Sequence, residues 1–376
     1  MERTRLDDEL KAELLELQSR NLLRPRPETA RPQTGLVDVC SNDYLGYGRL
    51  PVSRETSTGS PGAGASRLIF GTHAAHLELE RELADWVHCE AALLFSSGYV
   101  ANLAALAALI KPDDVVVSDE LNHASLIDGC RLSRATVVVA RHRDLQAMEG
   151  ALSQASARRR WVVTESYFSM DGDSPDLPKL RDLCDRRGAY LYVDEAHALG
   201  VFGPEGSGMA RNVGVRPDVL VGTLGKAVGV QGAFVAGSTP LIDFLWNRAR
   251  GFVFSTATSP MLTGVIRESV RRLRNDDGAR ARLRDLCQLF ADLLCRTGAG
   301  LPEERHGPIF PILFARPERA LEVAAALRRE GFLAQAIRPP TVPTGTSRIR
   351  ITLHADLTPL EVTRLAMLIG EQCPGS

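Results

Sequence analysis

The sequence predicts an α/β fold: a mostly parallel central sheet with flanking helices, followed by a smaller α+β C-terminal domain. Three observations predict it. Short apolar runs of three to five residues alternate with helical patterns of about 10–15 residues between residues 75 and 236. Those runs are apolar throughout, as strands buried on both faces are. After residue 238 the texture changes to long helical patterns with two β-rich runs.

Taken in order, Leu6, Leu10, Leu14, Leu17 and Leu22 recur at helical spacing among charges, so residues 5–22 read as an amphipathic helix. A Pro-rich connector runs from Arg24 to Pro32, and Ser41–Gly46 reads as a turn. Residues 53–66, rich in Ser, Thr and Gly, read as a flexible stretch. The expected strands are Ala92–Phe95, Val115–Ser118, Thr136–Ala140, Trp161–Glu165, Tyr190–Val193, Val219–Val221 and Ala233–Ala236. Long helices are expected over 239–249, 260–274 and 280–296, and another over 318–330. Ile309–Phe314 and Ile349–Leu353 are the two later apolar runs. The last helix opens with Thr358-Pro359-Leu360-Glu361, an N-cap threonine, a first-turn proline and a glutamate three residues on. The expected division is 1–45 (helix and connector), 46–237 (large α/β domain) and 238–376 (long helices and small domain).

Composition excludes several classes. The 376 residues carry a formal net charge of −1, too little basic excess for a nucleic-acid or membrane-surface protein. Neither a nucleic-acid nor a membrane partner is expected. The charged N-terminus lacks an apolar h-region, so no signal peptide is expected. The 7 cysteines contain no C-x-x-C, which argues against a zinc ribbon and fits a reducing cytoplasm. Of the 45 Lys and Arg residues only four are lysines: Lys11, Lys111, Lys179 and Lys226. Chemistry that needs a side-chain amine must use one of them.

In open α/β sheets, ligands sit beyond the carboxyl ends of the strands. Polar residues recur there: Ser97-Gly98-Tyr99, His123, Glu165 with Ser169 beyond it, Asp194 and His197, and Thr223 with Lys226. Taken singly, each also fits an ordinary turn or structural residue. Lys226 alone among the lysines sits at a strand end among small uncharged residues, where desolvation lowers an ammonium pKa. Such an amine can form a Schiff base. A carboxylate such as Asp194 can pair with a pyridinium nitrogen, and the Gly98 turn at a helix start suits a phosphate. Together these groups point to pyridoxal 5′-phosphate (PLP).

Six motifs carry a resemblance: SNDYLG (41–46), LFSSGYVAN (94–102), NHAS (122–125), TESYFSMDGD (164–173), VDEAHALG (193–200) and TLGKAVG (223–229). With them the chain resembles the α-oxoamine synthases, PLP-dependent acyltransferases of fold type I, across essentially its whole length. The resemblance implies a homodimer with Lys226 as the Schiff-base lysine and Asp194 paired with the pyridine nitrogen. It implies that His197 hydrogen-bonds the phenolic oxygen of PLP, with Ser169 beside it, and that His123 stacks on the ring near substrate. Gly98, Tyr99 and Thr223 fall on the phosphate side. Ser255 and Thr256 resemble hydroxyls that reach the cofactor phosphate of the neighbouring subunit. Asn42 and Arg350 match groups that hold the amino-acid carboxylate. Thr341 matches a substrate contact, and Arg24 an arginine that binds the acyl substrate.

Within the family, the run Ala336–Pro343 is most like that of members that condense L-alanine with a pimeloyl thioester in biotin biosynthesis. The acyl donor that the resemblance implies is a coenzyme A or acyl carrier protein thioester. Sister members acting on glycine or on longer acyl chains are the second possibility. A PLP-sensing DNA-binding regulator is a third, but it needs a winged-helix domain that the roughly 40 residues before SNDYLG do not supply. The chain departs from some relatives at Gly62–Arg67, near the family's acyl entrance. The arginine clusters Arg158–Arg160, Arg271–Arg272 and Arg280/Arg282/Arg284 are candidate docking points for an acidic acyl carrier protein.

Overall fold

The computed structural model describes residues 5–24, 35–52, 59–154, 157–297 and 305–373. Most of the expected Pro-rich connector and much of the 53–66 stretch lie outside them. The chain forms two compact units. The larger contains residues 42–284 and 354–356, and the smaller residues 1–41, 285–353 and 357–376.

A seven-stranded sheet organises the larger unit. Its strands are β1 (Ala91–Phe95), β2 (Val115–Asp119), β3 (Thr136–Ala140), β4 (Arg160–Glu165), β5 (Ala189–Asp194), β6 (Val219–Thr223) and β7 (Ala233–Gly237). Their spatial order is β1-β7-β6-β5-β4-β2-β3. β2 to β6 pair parallel, while β7 runs antiparallel to both neighbours. The carboxyl ends of β1, β2, β4, β5 and β6 therefore share one edge.

The helix Gly98–Leu109 follows β1 and is apolar nearly all round, with Ala101, Ala104, Ala105 and Leu106 in the core. A helix of that kind belongs between layers, not on a surface. Ser97 starts it by accepting the Val100 N–H. Its alanines and Gly129 of the helix Ala124–Ser133 let the two helices approach closely. A Cβ on Gly129 would lie 2.6 Å from Leu106 Cδ1 and 3.2 Å from the Asn102 carbonyl oxygen. This close packing brings Asn102 and Ser125 side by side.

The smaller unit is built on a three-stranded antiparallel sheet of β8 (Ile309–Phe314), β9 (Gln335–Ile337) and β10 (Ser347–Thr352), in the order β9-β10-β8. The helix Pro317–Arg329 packs on it through Ala320, Val323 and Leu327. A short parallel pair joins Val37–Asp38 to Phe332–Leu333. The last helix, Pro359–Gln372, has the expected capping box: Thr358 accepts the Glu361 N–H, and Glu361 accepts the Thr358 N–H. The first helix spans Arg5–Ser19, but none of its leucines is buried.

Candidate active site

Seven of the predicted site residues line one cavity of about 160 Å³ in the larger unit: Gly98, Tyr99, His123, Asp194, His197, Thr223 and Lys226. Each stands at or just beyond a strand's carboxyl end. The chain thus gathers an amine, a carboxylate, two imidazoles and a capped helix N-terminus from four strand ends.

Asp194 closes β5 and is 5% exposed. Its two oxygens are held separately. Oδ1 accepts the Ala196 N–H at 2.8 Å, and Oδ2 accepts from Asn102 Nδ2 at 2.6 Å. Asn102 also donates to Ser125 Oγ (2.9 Å) and accepts the Tyr192 hydroxyl (2.9 Å). His197 is buried, with Nδ1 2.6 Å from the Tyr44 hydroxyl. At the opposite end, a Cβ on Gly98 would face Thr223 Oγ1 at 3.6 Å, and Thr223 Oγ1 itself donates to the Gly232 carbonyl.

His123 caps the helix Ala124–Ser133. Its Nδ1 accepts the Ser125 N–H at 3.2 Å and lies 2.8 Å from Ser125 Oγ. Although the ring's outer edge opens to the cavity, its immersion in protein lowers the imidazole pKa. Lys226 acts in the same direction, and Asp194 opposes both. Glu165, wholly buried at the end of β4, accepts the His123 N–H at 2.7 Å and that of Ser169. Burial and the nearby Asp194 push its carboxyl up to about 8, against the pull of Lys226.

The remaining predicted residues lie elsewhere. Ser169 is buried behind Glu165 and does not line the cavity. Ser255 and Thr256 line a separate small cavity with Arg67 and Ser96, and Thr256 bridges to Ser66. Asn42 opens the larger unit in a turn closed by the Tyr44 N–H, and its buried Oδ1 meets no donor among the described residues. In the smaller unit, Arg24 donates to Thr341 Oγ1 at 3.0 Å and to the Arg338 carbonyl at 3.4 Å. Arg350 is buried on β10 and donates to Thr352 Oγ1 at 2.8 Å.

Several arginines of the candidate docking clusters are engaged internally. Arg158 pairs with Asp113 and Asp114, Arg271 with Glu82, Arg272 with Glu268, and Arg280 with the Leu273 carbonyl and Asp277. Tyr44, Asn102, Ser125 and Glu165 were not singled out for a role in the sequence. All four fall inside the quoted motifs, which is the signal that could have found them.

The family model for class I and II aminotransferases matches residues 34–369. The chain belongs to this family. It is 49% identical over 327 residues to an 8-amino-7-oxononanoate synthase of Anaeromyxobacter dehalogenans, covering 85% of this chain and 82% of the relative. Among solved structures it resembles a serine palmitoyltransferase from S. paucimobilis with PLP and myriocin bound, at 27% identity and TM-score 0.90, covering 98% of each chain. An 8-amino-7-oxononanoate synthase from Francisella tularensis superposes with TM-score 0.78 at 25% identity, covering 90% of this chain and 98% of that one. The fold is that of the type I PLP enzymes.

Proposed function

We propose that the chain is a PLP-dependent acyltransferase that condenses L-alanine with a pimeloyl thioester, releasing CO2 and free thiol and giving 8-amino-7-oxononanoate, in biotin biosynthesis. One observation carries the reading: the amine, carboxylate and imidazoles of Lys226, Asp194, His197 and His123 face a single cavity in a chain 49% identical to such a synthase. A sister enzyme, the serine palmitoyltransferase, superposes well but is only 27% identical, and the 49% identity to the synthase decides between the two readings.

The cavity's donor set fits PLP. Lys226 would hold its aldehyde carbon, Asp194 the ring nitrogen and His197 the phenolic oxygen. The Ser97-capped helix start at Gly98 and Tyr99 would take the phosphate, with Thr223 Oγ1. The chemistry supplied by PLP when bound is a sink for the electron pair left at the α-carbon of alanine. The work of the chain is to place and protonate. Asn102 and the Ala196 N–H keep both Asp194 oxygens occupied, so the carboxyl group is held in one orientation. Lys226 Nζ is the base for the α-proton and afterwards its donor. His123 offers a hydrogen bond to the carbonyl oxygen that becomes negative during acyl transfer. By resemblance, Asn42 and Arg350 hold the alanine carboxylate, Arg24 and Thr341 the acyl chain, and Ser169 the polar shell around His197.

The proposed state is a homodimer in the cytoplasm, in which Ser255 and Thr256 serve the neighbouring subunit's phosphate. Ile69, Phe70 and Phe254 are 80%, 78% and 72% exposed in the single chain, as expected of a surface that another subunit covers. No helix among the described residues is long and apolar enough to cross a membrane. The test is mass spectrometry of products after incubation with PLP, L-alanine and a set of dicarboxylic-acid thioesters of coenzyme A and of acyl carrier protein. The expected product is 8-amino-7-oxononanoate. Turnover only with glycine or L-serine would overturn the assignment.

A further inference from the structure

The cavity holds two histidines with different neighbours, and the neighbours of His123 define its protonation geometry. A backbone N–H can only donate. Because the Ser125 N–H points at His123 Nδ1, that nitrogen must be the acceptor, and the ring proton must sit on Nε2. Behind this contact runs a chain of side chains. Asp194 Oδ2 can only accept, which turns the NH2 of Asn102 towards it and towards Ser125 Oγ. The Tyr192 hydroxyl fills the other side of the amide. Ser125 Oγ accepts from Asn102, and because His123 Nδ1 carries no proton, the 2.8 Å contact between them is made by the Ser125 hydroxyl proton, shared at Nδ1 with the Ser125 N–H. Asn102, Ser125 and Tyr192 are 1%, 1% and 0% exposed, so no bulk water competes for these contacts.

We propose that Ser125 and Asn102 are positioning residues, which fix the tautomer of His123 as Nε2–H and tie its imidazole to the carboxylate of Asp194. The two groups that would meet the cofactor ring, His123 and Asp194, are then set by one hydrogen-bonded chain. The proton on Nε2 is the one available to the cavity, because Nδ1 is engaged by the helix it caps. The other charged and titratable groups around His123 are Lys226 beyond β6, Asp128 on its own helix, and Glu165 on β4, which takes its backbone N–H. Tyr99 presents a ring edge to it, with centroids 6.4 Å apart. None of these supplies a partner that would move the proton to Nδ1. The inference rests on the proposed condensation only for the identity of the oxygen that Nε2–H meets.

The tautomer can be read directly. In holoenzyme carrying ¹⁵N-labelled histidine, long-range ¹H–¹⁵N correlation near neutral pH is expected to show His123 with one ring proton, on Nε2. His123→Asn assigns the signal by its loss. A proton on Nδ1, or a doubly protonated ring, overturns the proposal. In Ser125→Ala the backbone donor remains and the hydroxyl link is lost. The His123 signals are then expected to broaden or shift, and kcat to fall about five- to tenfold with little change in KM for alanine, the size of one hydrogen bond. Unchanged His123 signals in Ser125→Ala overturn the role of Ser125. The spectrum needs no acyl donor, so a wrong donor in the product assay leaves the tautomer standing, and a wrong tautomer leaves the condensation standing.

Discussion

The Tyr44 hydroxyl lies 2.6 Å from His197 Nδ1, and Tyr44 is wholly buried. Tyr44 belongs to the SNDYLG turn and His197 to the loop after β5, so this contact fastens two distant segments at the cavity wall. Tyr44→Phe keeps the ring and removes the tie. It is expected to cost about 1 kcal/mol of stability in urea titrations. It is also expected to alter the pH dependence of the absorbance of bound PLP, because His197 loses the partner that orients it. An absorbance profile identical to wild type would show that His197 is oriented without Tyr44.

Lys226→Ala removes the only cavity amine among the described residues. The variant is expected to bind PLP without a covalent link and to lose turnover. The check is the absorbance spectrum together with borohydride reduction and peptide mass analysis. Retained turnover would sink the site assignment.

Gly129→Ala places a Cβ 2.6 Å from Leu106 Cδ1 where two helices cross. Overpacking of this kind costs about 1–3 kcal/mol. The strain falls between the helices that carry Asn102 and Ser125, so PLP affinity is expected to fall along with the urea midpoint. Both are measured on one preparation by fluorescence.

Glu165 gives a prediction in pH. Its carboxyl is raised from the ordinary 4.5 to about 8 in the fold. The native state therefore binds its proton more tightly than the unfolded chain, and the stability it contributes is lost as pH rises from about 4.5 through about 8. Glu165→Gln keeps an oxygen for the His123 N–H and cannot ionise. The variant is expected to match wild type near the bottom of that window and to exceed it in urea midpoint above its top. Parallel curves across the window would refute this.

Ile69→Asp with Phe70→Asp puts charge on a surface where both residues are largely exposed in the single chain. The pair is expected to leave the fold intact by circular dichroism and to halve the mass measured by light scattering. An unchanged mass would place the subunit interface elsewhere.

The positions of all seven strands of the large sheet were legible, most of them because strands buried on both faces leave uninterrupted apolar runs such as Val115–Val117; the edge strand β3 has the same texture although it is not buried on both faces, with Val139 65% exposed. The direction of β7 was not, since Ala233–Ala236 has the same apolar texture whichever way it runs. The capping box at Thr358 and Glu361 was legible because it is local in sequence. The leucines of the first helix have the right spacing for a buried stripe, yet all are exposed in the single chain. Spacing reveals an apolar face, but not what covers it. In the cavity, residues that meet the ligand chemistry could be named from their strand ends. Asn102, Ser125 and Tyr44 act through other side chains, and that depends on which helices and turns come together in space. Gly129 shows why this was hidden: its role is a missing Cβ at a helix crossing.

The reversed strand β7 also acts as a gauge. Gly98 follows β1 and Thr223 ends β6, and β7 alone separates the two strands. The two strands stand two sheet spacings apart, about 10 Å, and the turn after β1 crosses that span, since a Cβ on Gly98 would lie 3.6 Å from Thr223 Oγ1. β7 sends no side chain into the cavity, yet its width sets how far the turn after β1 must reach to bring Gly98 to Thr223. Its residues are replaceable in identity as long as the ladder on each side stays regular. A bulge in β7 would lengthen that reach and draw Gly98 away from Thr223 without replacing any cavity-lining residue.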